Sequence, residues 1–193
     1  MGLHQIIEKN NSKIGIWKME EELKELQIIL SKINISHLNS EKRKKEFLSA
    51  RILLNKLNPN SEITYNKYGS PQLSDGKQIS ISHSKTFIAI IISEKNVGID
   101  IEEISEKALR IASKFINKNN LLNLTNEKAT LIWCAKECIF KLFQKGKIDF
   151  KNDIKIETFD TKEKGKLNCD VKGEKIIVNY RKIDNQYLAY VCN

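Results

Sequence analysis

The sequence predicts an α+β fold made of two similar subdomains, each a long helix packed on a small, mostly antiparallel three-stranded sheet, a pseudo-dimer within one chain. Three observations carry this. A helix-period segment followed by three strand-like runs occupies residues 40–102, and the same order returns over 125–192. The two halves share that pattern without visible sequence identity, and no low-complexity linker separates them. The length, 193 residues, suits two small halves better than one large core. The expected subdomains are 1–103 and 104–193, with a ligand cleft between them.

Taken in order, residues 18–32 (KMEEELKELQIILSK) show amphipathic helical spacing. Ser40 is a suitable N-cap for a second helix over 40–57, basic in its first half and apolar in its second, and Asn58-Pro59-Asn60 ends it. A turn at Gly69-Ser70-Pro71 leads to strand-like runs at 79–82, 87–93 and 97–102. Residues 105–117 read as a helix and 125–144 as the clearest helix of all. Three more runs, at 154–159, 175–181 and 187–192, read as strands.

Composition narrows the class. An apolar fraction of 40% is enough to bury a core and excludes wholesale disorder. The longest strongly apolar run, 87–92, is too short to cross a bilayer. The first residues, MGLHQIIEKN, lack the apolar stretch of a secretory signal, and Ile6 breaks the myristoylation pattern after Gly2. Cys134, Cys138, Cys169 and Cys192 form no CxxC pair and have no His at metal-finger spacing, so buried free thiols in a reducing cytoplasm are expected. The net charge is +9, but only four of the 33 basic residues are Arg. Evenly spread Lys is a solvated surface first, and beyond that a field for an acidic partner rather than a nucleic-acid footprint.

Four pieces carry possible chemistry. Val97-Gly98-Ile99-Asp100-Ile101-Glu102 alternates, so Gly98, Asp100 and Glu102 share one strand face, where two carboxylates can converge on a hard cation such as Mg²⁺. As a plain reading, the same run is a half-buried strand with a wet acidic face. The helix TNEKATLIWCAKECIFKLFQKGK puts Leu131, Ile132, Ala135, Cys138, Ile139, Leu142 and Phe143 on one arc. Trp133, Lys136, Glu137, Phe140 and Lys141 fall on the other, either as a surface with a Glu137–Lys141 ion pair or as a partly buried site. Ser80-Ile81-Ser82-His83-Ser84 lies between two strand runs, where the His can meet a phosphate or simply fill a turn. Lys42-Arg43-Lys44-Lys45, with Arg51 beyond, opens the second helix, and the plain reading there is a solvated basic turn.

The ordered set is a basic helix, G-x-P, I-S-H-S, V-G-I-D-I-E and W-C-A-K-E-C-I-F-K. It resembles the 4'-phosphopantetheinyl transferase superfamily, of the surfactin type with two fused halves. The motifs cover about residues 40–150. The resemblance implies transfer of the 4'-phosphopantetheine arm of coenzyme A to a serine of an apo acyl or peptidyl carrier protein, with release of 3',5'-ADP. It implies Mg²⁺, or Mn²⁺ in its place, held by Asp100, Glu102 and Glu137. Glu137 would help deprotonate the carrier serine and Lys141 would stabilise or protonate the departing 3',5'-ADP. His83 and Ser82 resemble the nucleotide-phosphate contacts, and Lys42, Lys45 and Arg51 the basic residues near the 3'-phosphate. Lys136 belongs to the motif without an assigned role.

One departure stands out. The usual G-K-P reads Gly69-Ser70-Pro71 here, so a phosphate contact is lost or supplied by a neighbour such as Lys67. Two other readings compete: a metal-dependent phosphodiester enzyme, which would want its Lys two residues after a strand carboxylate, and a basic binding module, which leaves GIDIE and WCAKE unexplained. The expected protein is a cytoplasmic monomer, acting on an acidic carrier and on neither nucleic acid nor membrane.

Overall fold

The computed structural model describes residues 2–9, 11–117, 121, 123–143 and 148–192. The fold is α+β with antiparallel sheets, divided into two units, Met1–Asn96 and Val97–Asn193.

In the first unit a hairpin, β1 (Leu3–Lys9) and β2 (Ser12–Lys18), precedes a short helix α1 (Leu23–Ile29) and the long helix α2 (Glu41–Leu57). Ser40 caps α2 as its sequence predicts, accepting from the Arg43 amide at 3.3 Å. A small hairpin, β3 (Ile63–Tyr65) and β4 (Pro71–Leu73), leads to β5 (Gln78–His83) and β6 (Phe87–Ser93). The main sheet has the order β1-β2-β6-β5. β6, FIAIIIS, is buried along its whole length, which explains why its apolar residues do not alternate. α2 packs on β2 and β6, joining Leu48, Leu53 and Leu54 to Trp17, Ile88 and Ile90 in one core.

In the second unit β7 (Val97–Glu103) comes first, then α3 (Glu106–Arg110), a 3-10 turn (Ala112–Lys114) and the long helix α4 (Asn126–Phe143). Position 144, expected to close that helix, lies outside the described residues. β8 (Ile154–Ile156), β9 (Lys164–Val171), β10 (Glu174–Ile183) and β11 (Gln186–Cys192) follow. The sheet runs β7-β11-β10-β9-β8. α4 lies across β7 and β11 over a core that contains Leu131, Cys138, Val178 and Ala189. The four cysteines are free, three of them buried, and burial raises the thiol pKa of Cys134, Cys138 and Cys169. No helix among the described residues is long and apolar enough to cross a membrane.

Four expectations change. Among the described residues the two main sheets have four and five strands, not three, and β3 and β4 pair separately. The strand 97–102, expected to finish the first sheet, instead opens the second by pairing with β11, from Val97↔Cys192 to Glu103↔Gln186. That moves the division to 96/97 rather than 103/104. Residues 105–117 do not form one helix: Ile111 caps α3, and a 3-10 turn follows. Likewise α1 is confined to 23–29, because Glu22 and Glu25 form a reciprocal capping box that starts the helix there.

Candidate active site

β7 delivers the acidic pair. Val97, Ile99 and Ile101 are buried, and Gly98 faces α4 so closely that a Cβ there would overlap the Cys138 carbonyl oxygen and lie 3.0 Å from the Leu142 amide. A glycine is therefore required for the helix backbone to rest on the strand. Asp100, two residues on and 4% exposed, is turned the same way by the pleat. Lys141 of α4 meets it, Nζ to Oδ1 at 2.7 Å. Of the two readings of this helix arc, a surface Glu137–Lys141 ion pair or a partly buried site, the ion pair Lys141 makes is to the strand and not to Glu137.

Glu102 accepts a hydrogen bond from Trp133 Nε1 at 3.0 Å. The helical spacing places Trp133 on the carboxylate arc but gives no sign that it donates. Its ring is itself held by aromatic packing, edge-on to Phe115 and stacked on Phe150, which also touches Phe140. Burial and the Asp100 charge raise the Glu102 pKa, against the pull of the Trp133 bond. Burial, Asp100 and Glu102 together push Glu137 up to about 7. Burial alone would lower Lys141, but Asp100 outweighs it, so the ammonium is held more firmly than usual. Lys136 acts on the backbone instead. It is 5% exposed and donates to the carbonyls of Phe150 and, at 2.7 Å, Ile154. Its burial lowers its pKa to about 8.

Asp100, Glu102 and Glu137 are oxygen donors whose negative charges already repel one another, and Lys141 is the cation in ion-pair contact with Asp100. In donor type they fit Mg²⁺. Among the described residues, however, no three ligating side chains are drawn together tightly enough to form a metal cluster.

The remaining predicted residues belong to the first unit. His83, at the end of β5, and Lys42, in the first turn of α2, converge on a carboxylate the sequence did not single out, Glu46. His83 Nδ1 is 3.2 Å and Lys42 Nζ 3.7 Å from Glu46 Oε1. Arg43 joins them, with Nη1 at 3.1 Å from Oε2. The signal available was the i,i+3 and i,i+4 spacing of Arg43 and Lys42 to Glu46. Ser82 is buried in β5 opposite Ala89. Arg51 does not join the cluster: its guanidinium lies 3.3 Å over the Phe47 ring and donates to the Phe47 carbonyl, and burial lowers its pKa. The ion pairs of Glu46 among the described residues are with Lys42, Arg43 and His83, and do not include Lys45. Lys67 stands over the Tyr68 ring, and the Ser70 amide donates to Asn66.

The model of the 4'-phosphopantetheinyl transferase superfamily matches residues 96–192, essentially all of the second unit and the whole of β7 and α4. The chain belongs to this superfamily. A curated member, the 4'-phosphopantetheinyl transferase gsp of Aneurinibacillus migulanus, is 34% identical over 111 residues. That alignment covers 52% of this chain and 47% of the relative, so the chain matches about half the length of that superfamily member.

Proposed function

We propose that the protein transfers the 4'-phosphopantetheine arm of coenzyme A to a serine of an apo carrier protein, releasing 3',5'-ADP. The observation that carries this reading is the contact of Lys141 with Asp100, with Glu102 and Glu137 in the same electrostatic field, inside the stretch that matches the superfamily.

In this reading the serine Oγ attacks the phosphorus that bears the pantetheine arm. A new P–O bond forms there, and the bridging P–O bond to the adenosine 5'-phosphate breaks. Glu137, one helical turn before Lys141 on α4, accepts the serine proton. Lys141, held charged by Asp100, meets the negative charge that develops on the departing oxygen. Trp133 fixes Glu102 by donating to it. Asp100, Glu102 and Glu137 would hold Mg²⁺, or Mn²⁺, which when bound neutralises charge on the pyrophosphate. His83, Ser82, Lys42, Lys45 and Arg51 would bind the nucleotide phosphates, Arg51 by turning away from the Phe47 ring on which it rests.

The pseudo-dimer belongs to the same proposal, and connectivity supports it. In the first unit the strand before the long helix, β2, pairs with the last strand, β6, which pairs with β5. In the second, β7 pairs with β11, which pairs with β10. The division between subdomains follows the units, at 96/97. We place the protein in the cytoplasm as a monomer, with an acidic acyl or peptidyl carrier as partner, drawn by the net charge of +9.

The test is a mass assay. Purified protein, Mg²⁺, coenzyme A and a panel of apo acyl and peptidyl carriers should give a carrier heavier by one phosphopantetheine, with 3',5'-ADP released. No mass gain on any carrier would sink the reading.

A further inference from the structure

Glu46 has no part in the transfer steps above, yet it is built into the first unit as an anchor. Its side chain is 5% exposed, while the groups around it are open: Lys42 at 66%, Arg43 at 64% and His83 at 38%. One buried anion thus holds three solvent-facing nitrogen groups drawn from α2 and β5. An exposed ion pair alone contributes little, so three such groups on one buried carboxylate suggest positioning rather than stability.

The detailed contacts agree. Arg43 Nη1 donates to Glu46 Oε2 at 3.1 Å and also lies 3.4 Å from His83 Nε2. Arginine is only a donor, so that contact places the lone pair on Nε2 and the ring proton on Nδ1, the nitrogen 3.2 Å from Glu46 Oε1. Oε1 itself accepts no hydrogen bond of good geometry, although His83 and Lys42 both face it. It holds them by charge, which leaves their heads room to turn toward a second anion. Lys42 and Arg43 outnumber Glu46 by one positive charge, and the imidazole adds another when protonated. That balance suits a phosphate monoester, which carries close to two negative charges at neutral pH.

We propose that Glu46 is a positioning residue that gathers Lys42, Arg43 and His83, from the buried side, into one site for a phosphate monoester. The choice of natural ligand rests on the transferase reading: coenzyme A carries one phosphate monoester, at its 3' position, and its other two phosphates form the pyrophosphate.

Calorimetry with coenzyme A and with 3'-dephospho-coenzyme A, which has no phosphate monoester, tests this in the absence of any carrier and so without turnover. The wild-type protein should bind coenzyme A about tenfold tighter than its 3'-dephospho form. Glu46→Gln should lose that preference with affinity for the 3'-dephospho form unchanged, and Glu46→Asp, which keeps the charge, should recover part of it. Nitrogen chemical shifts of His83 should report the Nδ1–H tautomer in the wild type and its loss in Glu46→Gln. Arg43→Met, a change at an exposed side chain, should lose part of the preference and add nothing in the Glu46→Gln background. If Glu46→Gln fails to fold, Arg43→Met decides alone, and an unchanged preference there overturns the site. Equal weakening of both ligands by Glu46→Gln would make Glu46 merely structural. A wild-type protein that does not distinguish the two ligands would overturn the proposal outright. A wild-type protein that keeps the preference but transfers nothing to any carrier would overturn the transferase reading and leave this one standing.

Discussion

β2 of the first unit and β7 of the second each carry a glycine under a long helix, and the two contacts differ in one telling way. A Cβ on Gly15 would meet the tips of Leu53 and Leu57, at 2.7 and 2.8 Å. On Gly98 it would meet the backbone of α4 at the positions of Cys138 and Leu142. Both helices touch through residues four apart, but α4 brings its main chain onto the strand where α2 brings side chains. Two residues beyond the glycines stand Trp17 and Asp100. On the helices, the residues just ahead of the contacts are Ile52 and Lys56 in one unit, Glu137 and Lys141 in the other. Trp17 is fully buried and donates to Glu21, and Ile52 is core. A closely comparable strand–helix contact thus holds a hydrophobic core in one unit and a charged cluster in the other. The chemistry comes from a few positions, not from the packing pattern.

The sharpest way to break this comparison is to make the second unit resemble the first. Asp100→Ala, with saturating Mg²⁺, should lower the transfer rate by on the order of 10² to 10³, since it removes both a carboxylate and the partner of Lys141. An unchanged rate would remove Asp100 from the site.

Next in size is packing. Gly98→Ala should cost about 3 kcal/mol or more in urea unfolding, because a backbone carbonyl cannot move aside, while Gly15→Ala should cost about 1 to 2, since leucine tips can. Equal losses would mean that the two helices approach their strands alike.

The third prediction concerns pH. Glu137 is raised from 4.5 to about 7, chiefly by burial. Between those values the unfolded chain has lost a proton that the folded protein keeps, so metal-free stability falls as pH rises through that window and levels off above it. Glu137→Gln has no such proton. In chelator, its stability should improve relative to wild type by about 2 kcal/mol on going from about pH 4 to about pH 8, after a discount for half-burial. Parallel pH profiles of the two proteins would contradict the shift. Ile52 occupies the corresponding place in the first unit and brings no such penalty.

The smallest effect belongs to the first unit. Ser70→Lys should lower the apparent KM for coenzyme A by about two- to fivefold if the missing Lys of G-x-P is a lost phosphate contact. An unchanged KM would show that a neighbour already supplies it.

Much of this is legible in the sequence, for physical reasons that can be named. β6 and α4 are plain because the unbroken apolar run over 87–92 and a long 3.6-residue period have few competing explanations. The β1–β2 hairpin escapes a sequence reading: LHQIIEK is largely exposed, and SKIGIWK carries a strand-weakening glycine whose purpose only the packing of α2 reveals. β9, KGKLNCDV, escapes it because its outward residues are polar or charged and only Leu167, Cys169 and Val171 turn inward. Pairing is the least legible level. Alternation puts Asp100 and Glu102 on one face, but nothing local says that their strand joins β11, that Lys141 chooses Asp100 over Glu137, or that Trp133 donates to Glu102.

The β7–β11 ladder also has a consequence in time. Its partners, Val97↔Cys192 through Glu103↔Gln186, are separated by most of the length of the second unit. During synthesis Asp100 and Glu102 leave the ribosome long before the strand that will hold them exists. The charged cluster is therefore assembled late, by a long-range pairing that is slow to close, whereas the β1–β2 hairpin of the first unit can form as soon as its few residues emerge.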